Sequence, residues 1–483
     1  MKTSPLGVSS AGTIAHAIRT GEIRAEEVMQ ASMNALVRLN GGVNAFVAHD
    51  RDAALESARL VDVALREGQN LGELAGVPVA VKDNCLTTDF PSTAGSNVRG
   101  TERAAQDATV VSRLRAAGAI IVGKTNMHEW AYGATNTESR YGPSLNPWDR
   151  ERISGGSSGG SAAAVSAGIV PVAIGTDTGG SVRIPAAACG VSGLKPTHGL
   201  ASRHGVLPLA WSFDCVGPIA RWASDLHLLL RIMSGVDSKD PTTAQTHRTY
   251  QGARRLGSLK GIRIGVLSGP GFESSVGVQR RIDDAISMLA GDGATIHPTH
   301  MPDLGHGFSA WKIIMHAEAT AWHRRTLDTS PEGYSVAVRS RLEAGRSISA
   351  IDYLHAQQYR AAFIEQCRTA LGACDAWVLP TLPVVAPTID EVEVNVGGIP
   401  ISVQDAMTRL PWLANFTGMP CVSLPCGFGE DGMPVGMSVL GAAGSDFRLL
   451  DIGMRFQELS NWHIHCPPVT GNSADLAMPG VDR

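Results

Sequence analysis

From Leu71 onward the chain alternates short apolar runs with amphipathic stretches, and this alternation limits the possible folds more than any other feature. Residues 77–81 read as a strand, 109–117 as a helix and 119–122 as a second strand. A strand buried on both faces gives a continuous apolar run, whereas a helix repeats its apolar positions about every 3.6 residues. The same pattern resumes after Gly261, with a strand at 262–267, a helix at 278–289 and a strand at 294–297. Further strands are expected at 376–379, 422–424 and 435–440, and a closing helix near 447–459. The class is therefore α/β, with a single large mixed, mostly parallel β-sheet covered by helices on both faces. Upstream, residues 9–68 read as two or three amphipathic helices with Ile14, Ala17, Ile18, Val28, Met33 and Leu36 at helical spacing.

A chain of 483 residues could hold three domains at about 150 residues each, but large α/β sheets run longer as one unit. The expected organisation has N-terminal helices (1–70) packed on a core (71–235). A variable half (236–471) then completes the same domain and the substrate pocket, before a mobile tail (472–483). No run approaches the ~20 apolar residues of a membrane span. The N-terminus, broken by Pro5 and Gly7, lacks the apolar core of a secretory signal, so a cytoplasmic location is expected. The eight cysteines form no CxxC pair and read as reduced, mostly buried thiols. The formal charge is −4, and the most basic stretch (254–263) is interrupted by Gly and Leu, so neither a nucleic-acid nor a membrane partner is expected. His316, Glu318 and His323 scatter around a helix and match no ligand motif, so no metal and no cofactor are expected.

Three short motifs can be set aside. Gly118 to Thr125 fits the phosphate-loop pattern GxxxxGK[ST], but its centre, 119–122, is an apolar strand rather than a flexible loop. Gly155 to Gly159 fits the nucleophile elbow GxSxG, yet the polar, proline-broken approach at 146–152 is not the strand an elbow requires. Ser192 and Lys195 match SxxK without the partner motifs of that class.

Glycine, at 54 residues, concentrates between Gly155 and Gly205. Two Gly-Ser segments stand there, ending in Ser161 and Ser181, joined by a small-residue helix and an apolar strand. The glycines of Thr176-Asp-Thr-Gly-Gly-Ser181 permit a sharp turn and close approach of backbone to a ligand. Such N–H groups can hold an oxyanion, each donor contributing roughly 3–4 kcal/mol to a transition state. A nucleophilic serine also needs a base, and neither His198 nor His204 has a triad-like context. Lys82, closing the run Val77-Pro-Val-Ala-Val-Lys82, suits the task, because burial depresses a lysine pKa and leaves a neutral amine.

The segments GVPVAVKDN, AGAIIVGKTNMHEWAYG, SGGSSGGSAAAVSAG, PVAIGTDTGGSVRIPAAACGVSGLKPTHG and VGPIARWASD together strongly resemble the amidase signature family. Weaker likeness continues through LPTLP and MPCVSLPCGF. Ser157 and Ser181 stand 24 residues apart, the separation typical of that family. The resemblance implies that Ser181 is the nucleophile, Ser157 the proton relay and Lys82 the ultimate base. It further implies an oxyanion hole from the N–H groups of Thr178, Gly179, Gly180 and Ser181, and a cis peptide between Gly156 and Ser157.

Around these residues, Asp177 and Arg183 are expected to pair and orient the loop, Ser158 and Thr176 to support it by hydrogen bonds, and Asp83 and Asn84 to cap the turn after the strand. Pocket walls are expected at Met127 and Ala131, within 310–325 (Trp311, Met315 and Trp322) and within 403–415. The implied activity is a small-molecule amidase, hydrolysing the C–N bond of linear amides with side activity on anilides, esters or carbamates. A carbamate or urethane hydrolase of the same family would share the core. The glutaminase component of a tRNA-dependent amidotransferase is the other alternative; such proteins carry Gln before the proline where this chain has Ile184-Pro185. The chain is expected to resemble the free-standing bacterial amidases more closely. The expected partner is a small amide or carbamate substrate, and the oligomeric state, a homodimer included, is left open.

Overall fold

A computed structural model describes residues 8–246, 255–301, 304–372 and 374–470. The expected tail at 472–483 lies outside the described residues. Eleven strands build one sheet: β1 (Phe46–His49), β2 (Pro78–Lys82), β3 (Ile120–Thr125), β4 (Val172–Asp177), β5 (Ser192–Lys195), β6 (Cys215–Ala220), β7 (Arg263–Leu267), β8 (Thr295–Thr299), β9 (Ala376–Pro380), β12 (Cys421–Phe428) and β13 (Pro434–Leu440). A separate hairpin comprises β10 (Glu393–Val396) and β11 (Ile399–Ser402).

The sheet order is β1-β3-β2-β4-β6-β5-β12-β13-β9-β7-β8. Parallel pairing is concentrated in two blocks, β3-β2-β4 and β9-β7-β8. Each block is built from the strand–helix–strand units that the apolar alternation implies. Between them, from β4 through β6, β5, β12 and β13 to β9, the pairs are antiparallel. The mixed sheet is therefore more antiparallel at its centre than a simple run of such units would be.

Helices cover both faces. β2, β3, β4 and β13 are buried along their whole length, which requires cover above and below. On β12 a Cβ at the facing Gly436 would meet both Ser423 and Ala187 of the short helix Arg183–Ala188, while Leu424 packs near Gly453 of the helix Asp446–Ser460. Successive residues of one strand thus point to different covering helices, as the pleat demands.

A second apolar cluster lies beside the sheet and joins Trp130, Tyr132, Trp311, Met315, Phe363, Trp412 and Phe416. Its main helices are Leu304–Thr329 and Ala350–Leu371. The residues expected to carry the chemistry sit between this aromatic cluster and the ends of β2 and β4.

Candidate active site

Lys82 is the last residue of β2, and Thr176 and Asp177 close the adjacent parallel strand β4. Parallel pairing brings both C-terminal ends to one edge, where the loops of an α/β sheet gather. The loop Gly155–Ser158 enters the helix Gly159–Ser166, and Thr178–Ser181 leads into Arg183–Ala188. One backbone bond joins the loops, Ser158 N–H donating to Ser181 O at 3.1 Å, and a second ties the first loop to Ala134, Gly156 N–H donating to Ala134 O at 2.7 Å. The peptide between Gly156 and Ser157 is cis.

Lys82 is fully buried, and its Nζ donates to Ser157 Oγ and to Thr176 Oγ1, each at 2.8 Å. Burial pushes its pKa down to about 7, against the weaker raising influence of Cys85, Asp177 and Asp214. A neutral amine there can accept a proton from the Ser157 hydroxyl. Thr176 Oγ1 also accepts from Asn84 Nδ2 at 3.1 Å, and Ser158 Oγ donates to Thr176 O at 3.2 Å.

Of the three residues, only Ser181 borders open space. It is 7% exposed where Lys82 and Ser157 are 0%, and it lines a narrow cleft with Ala131, Tyr132, Thr178, Gly179, Leu209, Trp311, Met315, Gln404 and Thr408. The hydroxyls of Ser157 and Ser181 form no hydrogen bond with each other among the described residues.

The turn before Ser181 is held by Asp177. Its carboxylate accepts from Gly180 N–H (2.8 Å), Val182 N–H (3.1 Å), Arg183 Nε (3.0 Å) and Arg183 Nη2 (2.9 Å), and from Asn415 Nδ2 (2.9 Å). Burial alone would raise the Asp177 pKa, but the Arg183 charge and these donors bring it to about 2. Contrary to expectation, Gly180 cannot offer its N–H to an oxyanion, because that donor is committed to Asp177. The N–H groups of Thr178, Gly179 and Ser181 have no acceptor among the described residues. Both glycines are sterically required: a Cβ on Gly179 would meet Trp311 at 2.3 Å, and Gly180 has φ +120° with Pro411 at 2.4 Å.

Residues 27–450 match the family model described as Amidase. The chain belongs to the amidase family. Curated relatives include the A subunit of glutamyl-tRNA(Gln) amidotransferase from Symbiobacterium thermophilum, 38% identical across 95% of this chain and 99% of the relative. The same component from Chloroflexus aggregans is 36% identical over 96% and 98%. Among solved structures, a vestigial protein complex that reveals the evolutionary origins of an s-triazine catabolic enzyme is 33% identical, with TM-score 0.89 over 93% of this chain and 98% of the other. A crystal structure of an amidase gives 33% and 0.83 over 93% and 99%. The glutamyl-tRNA(Gln) amidotransferase component of Thermotoga maritima gives 33% and 0.77 over 92% and 94%. The expected greater likeness to free-standing amidases is thereby corrected: these curated relatives carry the amidotransferase name, and both kinds occur among the solved structures.

Several other expectations change. Met127 is fully buried in the aromatic cluster and does not line the cleft, whereas Ala131 does. Asp83 does not cap its own turn; it accepts from Thr93 N–H (3.1 Å), Thr93 Oγ1 (2.5 Å) and Gly95 N–H (3.2 Å), pinning a loop ten residues downstream. Asn84 instead supports Thr176. Trp311 and Met315 reach the cleft, while Trp322 is half exposed and does not line it.

His316, Glu318 and His323 have separate partners: His316 pairs with Tyr132 Oη, Glu318 accepts from Ser212, and His323 pairs with Tyr334. The phosphate-loop match falls on β3, with Lys124 buried. Residues 146–156 before Ser157 form no strand beyond isolated bridges.

Several supporting residues were not foreseen. Thr178 Oγ1 donates to Asp214 at 2.6 Å, and Asp214 also accepts from the N–H groups of Leu209 (3.0 Å) and Ala210 (3.1 Å). It thus ties a cleft wall to the loop before Ser181. Asn415 and Gln404 lie more than 200 residues from Ser181 in sequence. Only the general region 403–415 pointed to them.

Proposed function

We propose that this amidase hydrolyses a small, uncharged amide through an acyl-enzyme on Ser181. Ser181 Oγ attacks the carbonyl carbon while its proton moves to Ser157 Oγ, and the proton of Ser157 moves to neutral Lys82 Nζ. The displaced carbonyl electron pair becomes an oxyanion held by the free N–H groups of Thr178, Gly179 and Ser181. Collapse breaks the C–N bond, and the same relay protonates the departing amine. Water then attacks the acyl carbon, gives its proton to the relay and releases the acid. Asp177 and Arg183 keep the turn in shape, and Thr176, Ser158 and Asn84 keep Lys82 placed.

The observation that carries the substrate class is the lining of the cleft. Among the described residues, it contains apolar and neutral polar side chains but no carboxylate, ammonium or guanidinium. Free glutamine brings an ammonium and a carboxylate, each of which needs a partner when taken from water. Carbamates and esters fit the same machinery.

A second reading has its own support. The amidotransferase names of the curated relatives, at 36–38% identity over nearly the whole chain, favour a glutaminase that delivers ammonia within a multi-chain enzyme. It would require partner chains and a charged-substrate site built with their help.

Product release from primary amides, anilides, esters, carbamates and glutamine, compared between wild type and Ser181→Ala, tests both. Turnover of uncharged amides by wild type alone supports the first reading. Glutamine hydrolysis that appears only with co-purified partners and charged tRNA replaces it with the second. Equal turnover by Ser181→Ala would defeat the mechanism in either case.

A further inference from the structure

Gln404 stands where the hairpin β10–β11 runs into the helix Val403–Thr408, and its side chain borders the cleft that Ser181 opens onto. Its amide orientation is not arbitrary. Ala134 N–H donates to Gln404 Oε1 at 2.9 Å, and a backbone N–H can meet only the oxygen end of the amide. The Nε2 end therefore points away from Ala134, and it has no acceptor among the described residues.

The post that fixes Gln404 also fixes the relay. Ala134 uses its N–H on Gln404 and its carbonyl on Gly156 N–H (2.7 Å), immediately before Ser157. Two further ties hold the helix. Thr408 Oγ1 donates to Gln404 O at 2.9 Å, and Lys312 Nζ bonds Asp405 Oδ1 at 2.6 Å. The apolar side chains of Trp311, Met315 and Leu209 complete the lining. Gln404 thus brings to the cleft wall an amide whose oxygen is engaged by Ala134 and whose N–H₂ has no acceptor among the described residues.

Resting on the amide-hydrolase reading, we infer that Gln404 Nε2 is a specificity determinant that selects substrates with a second, uncharged hydrogen-bond acceptor besides the scissile carbonyl. Ketone, ether, second-amide and ring-nitrogen acceptors all qualify. A purely alkyl amide leaves this donor facing apolar substrate and forfeits the bond, which costs more when a polar group is desolvated without a partner.

The test compares hexanamide with chain-matched keto analogues in which the ketone is moved one carbon at a time, using wild type, Gln404→Glu and Gln404→Met. Gln404→Glu keeps an oxygen for Ala134 and replaces the donor by an acceptor. Gln404→Met is close in volume and loses both, and melting curves verify that each variant is folded. Wild type should prefer the best-placed keto analogue by about tenfold in kcat/KM. Both variants should bring that ratio close to one. No preference at any ketone position, or a preference that survives in both variants, overturns the inference while leaving amide hydrolysis intact. Absence of wild-type turnover on every member of the series overturns the hydrolase reading and the inference with it.

Discussion

Two fully buried lysines sit side by side on the parallel strands β2 and β3, and their surroundings separate chemistry from structure. Lys124 pairs in register with Val81, the neighbour of Lys82. It has a carboxylate, Asp83, at 3.7 Å, and it donates to Cys85 O at 2.6 Å and Ser92 Oγ at 2.5 Å. Lys82 has no carboxylate partner among the described residues and meets the hydroxyls of Ser157 and Thr176. Burial pushes both pKa values down, but at Lys124 the Asp83 charge works against it, whereas at Lys82 the opposing charges are more distant. The paired Lys124 ties a loop through Asp83, Cys85 and Ser92. Lys195 is equally buried without a carboxylate partner among the described residues, but it donates to Pro196 O at 2.7 Å; what distinguishes Lys82 is that its amine meets the hydroxyl of Ser157.

The largest effect expected from this contrast is on turnover. Lys82→Met should lower kcat/KM by roughly 10³-fold while the melting temperature stays near or above that of wild type, because an unpaired buried amine is removed. Steady-state kinetics beside a thermal melt would show it, and a variant that loses fold and activity together would erase the distinction. Lys124→Met should do the reverse. It strands buried Asp83 without its partner and should cost about 3–5 kcal/mol of stability, read from denaturant unfolding, with activity per folded molecule largely kept.

The contrast also sets the pH behaviour. Activity should fall as pH drops through about 7, where Lys82 takes up its proton, and level off above it. For stability the sign is also fixed. The unfolded chain holds that proton up to its ordinary value of 10.5, so the contribution from Lys82 is fully present above 10.5 and is lost as pH falls to about 7. Lys82→Met should remove this slope from a pH series of unfolding curves. A rate that stays flat between about pH 5 and 9 would count against the base. Smaller effects should follow from the supports: Thr176→Val, which deletes one of the two hydroxyls on Lys82, should cost about tenfold in kcat. Asp214→Asn should cost several-fold in kcat with little change in KM, since it releases the Thr178 turn rather than a substrate contact.

How far the sequence spoke depended on the range of the interaction. Lys82, Ser157 and Ser181 were legible because each sits in a short local pattern whose backbone task, a strand end or a glycine turn, can be read from neighbours. The apolar runs at 262–267, 376–379 and 435–440 correspond to β7, β9 and β13. β5 and β6 were hidden, one by Gly193 and Lys195 and the other by Pro218, which argues against a central strand although it pairs there with Ile174. β1 was concealed inside an otherwise helical stretch. The loss of Gly180 from the oxyanion hole depends on where the Asp177 carboxylate turns, which three residues of sequence do not specify. The cleft walls were legible only as regions, because the pattern of a helix does not say which of its faces borders a cavity.

The order of strands in the sheet has a consequence for synthesis. β12 and β13 are the last strands of the sheet to leave the ribosome, yet they fill the gap between β5 and β9. Until residue 440 has emerged, the two halves of the sheet cannot be joined, and each exposes an unpaired border of backbone N–H and C=O groups. A nascent chain truncated within this interval would carry two sticky edges in place of one closed seam, and its hazard during translation is premature association with another copy of itself.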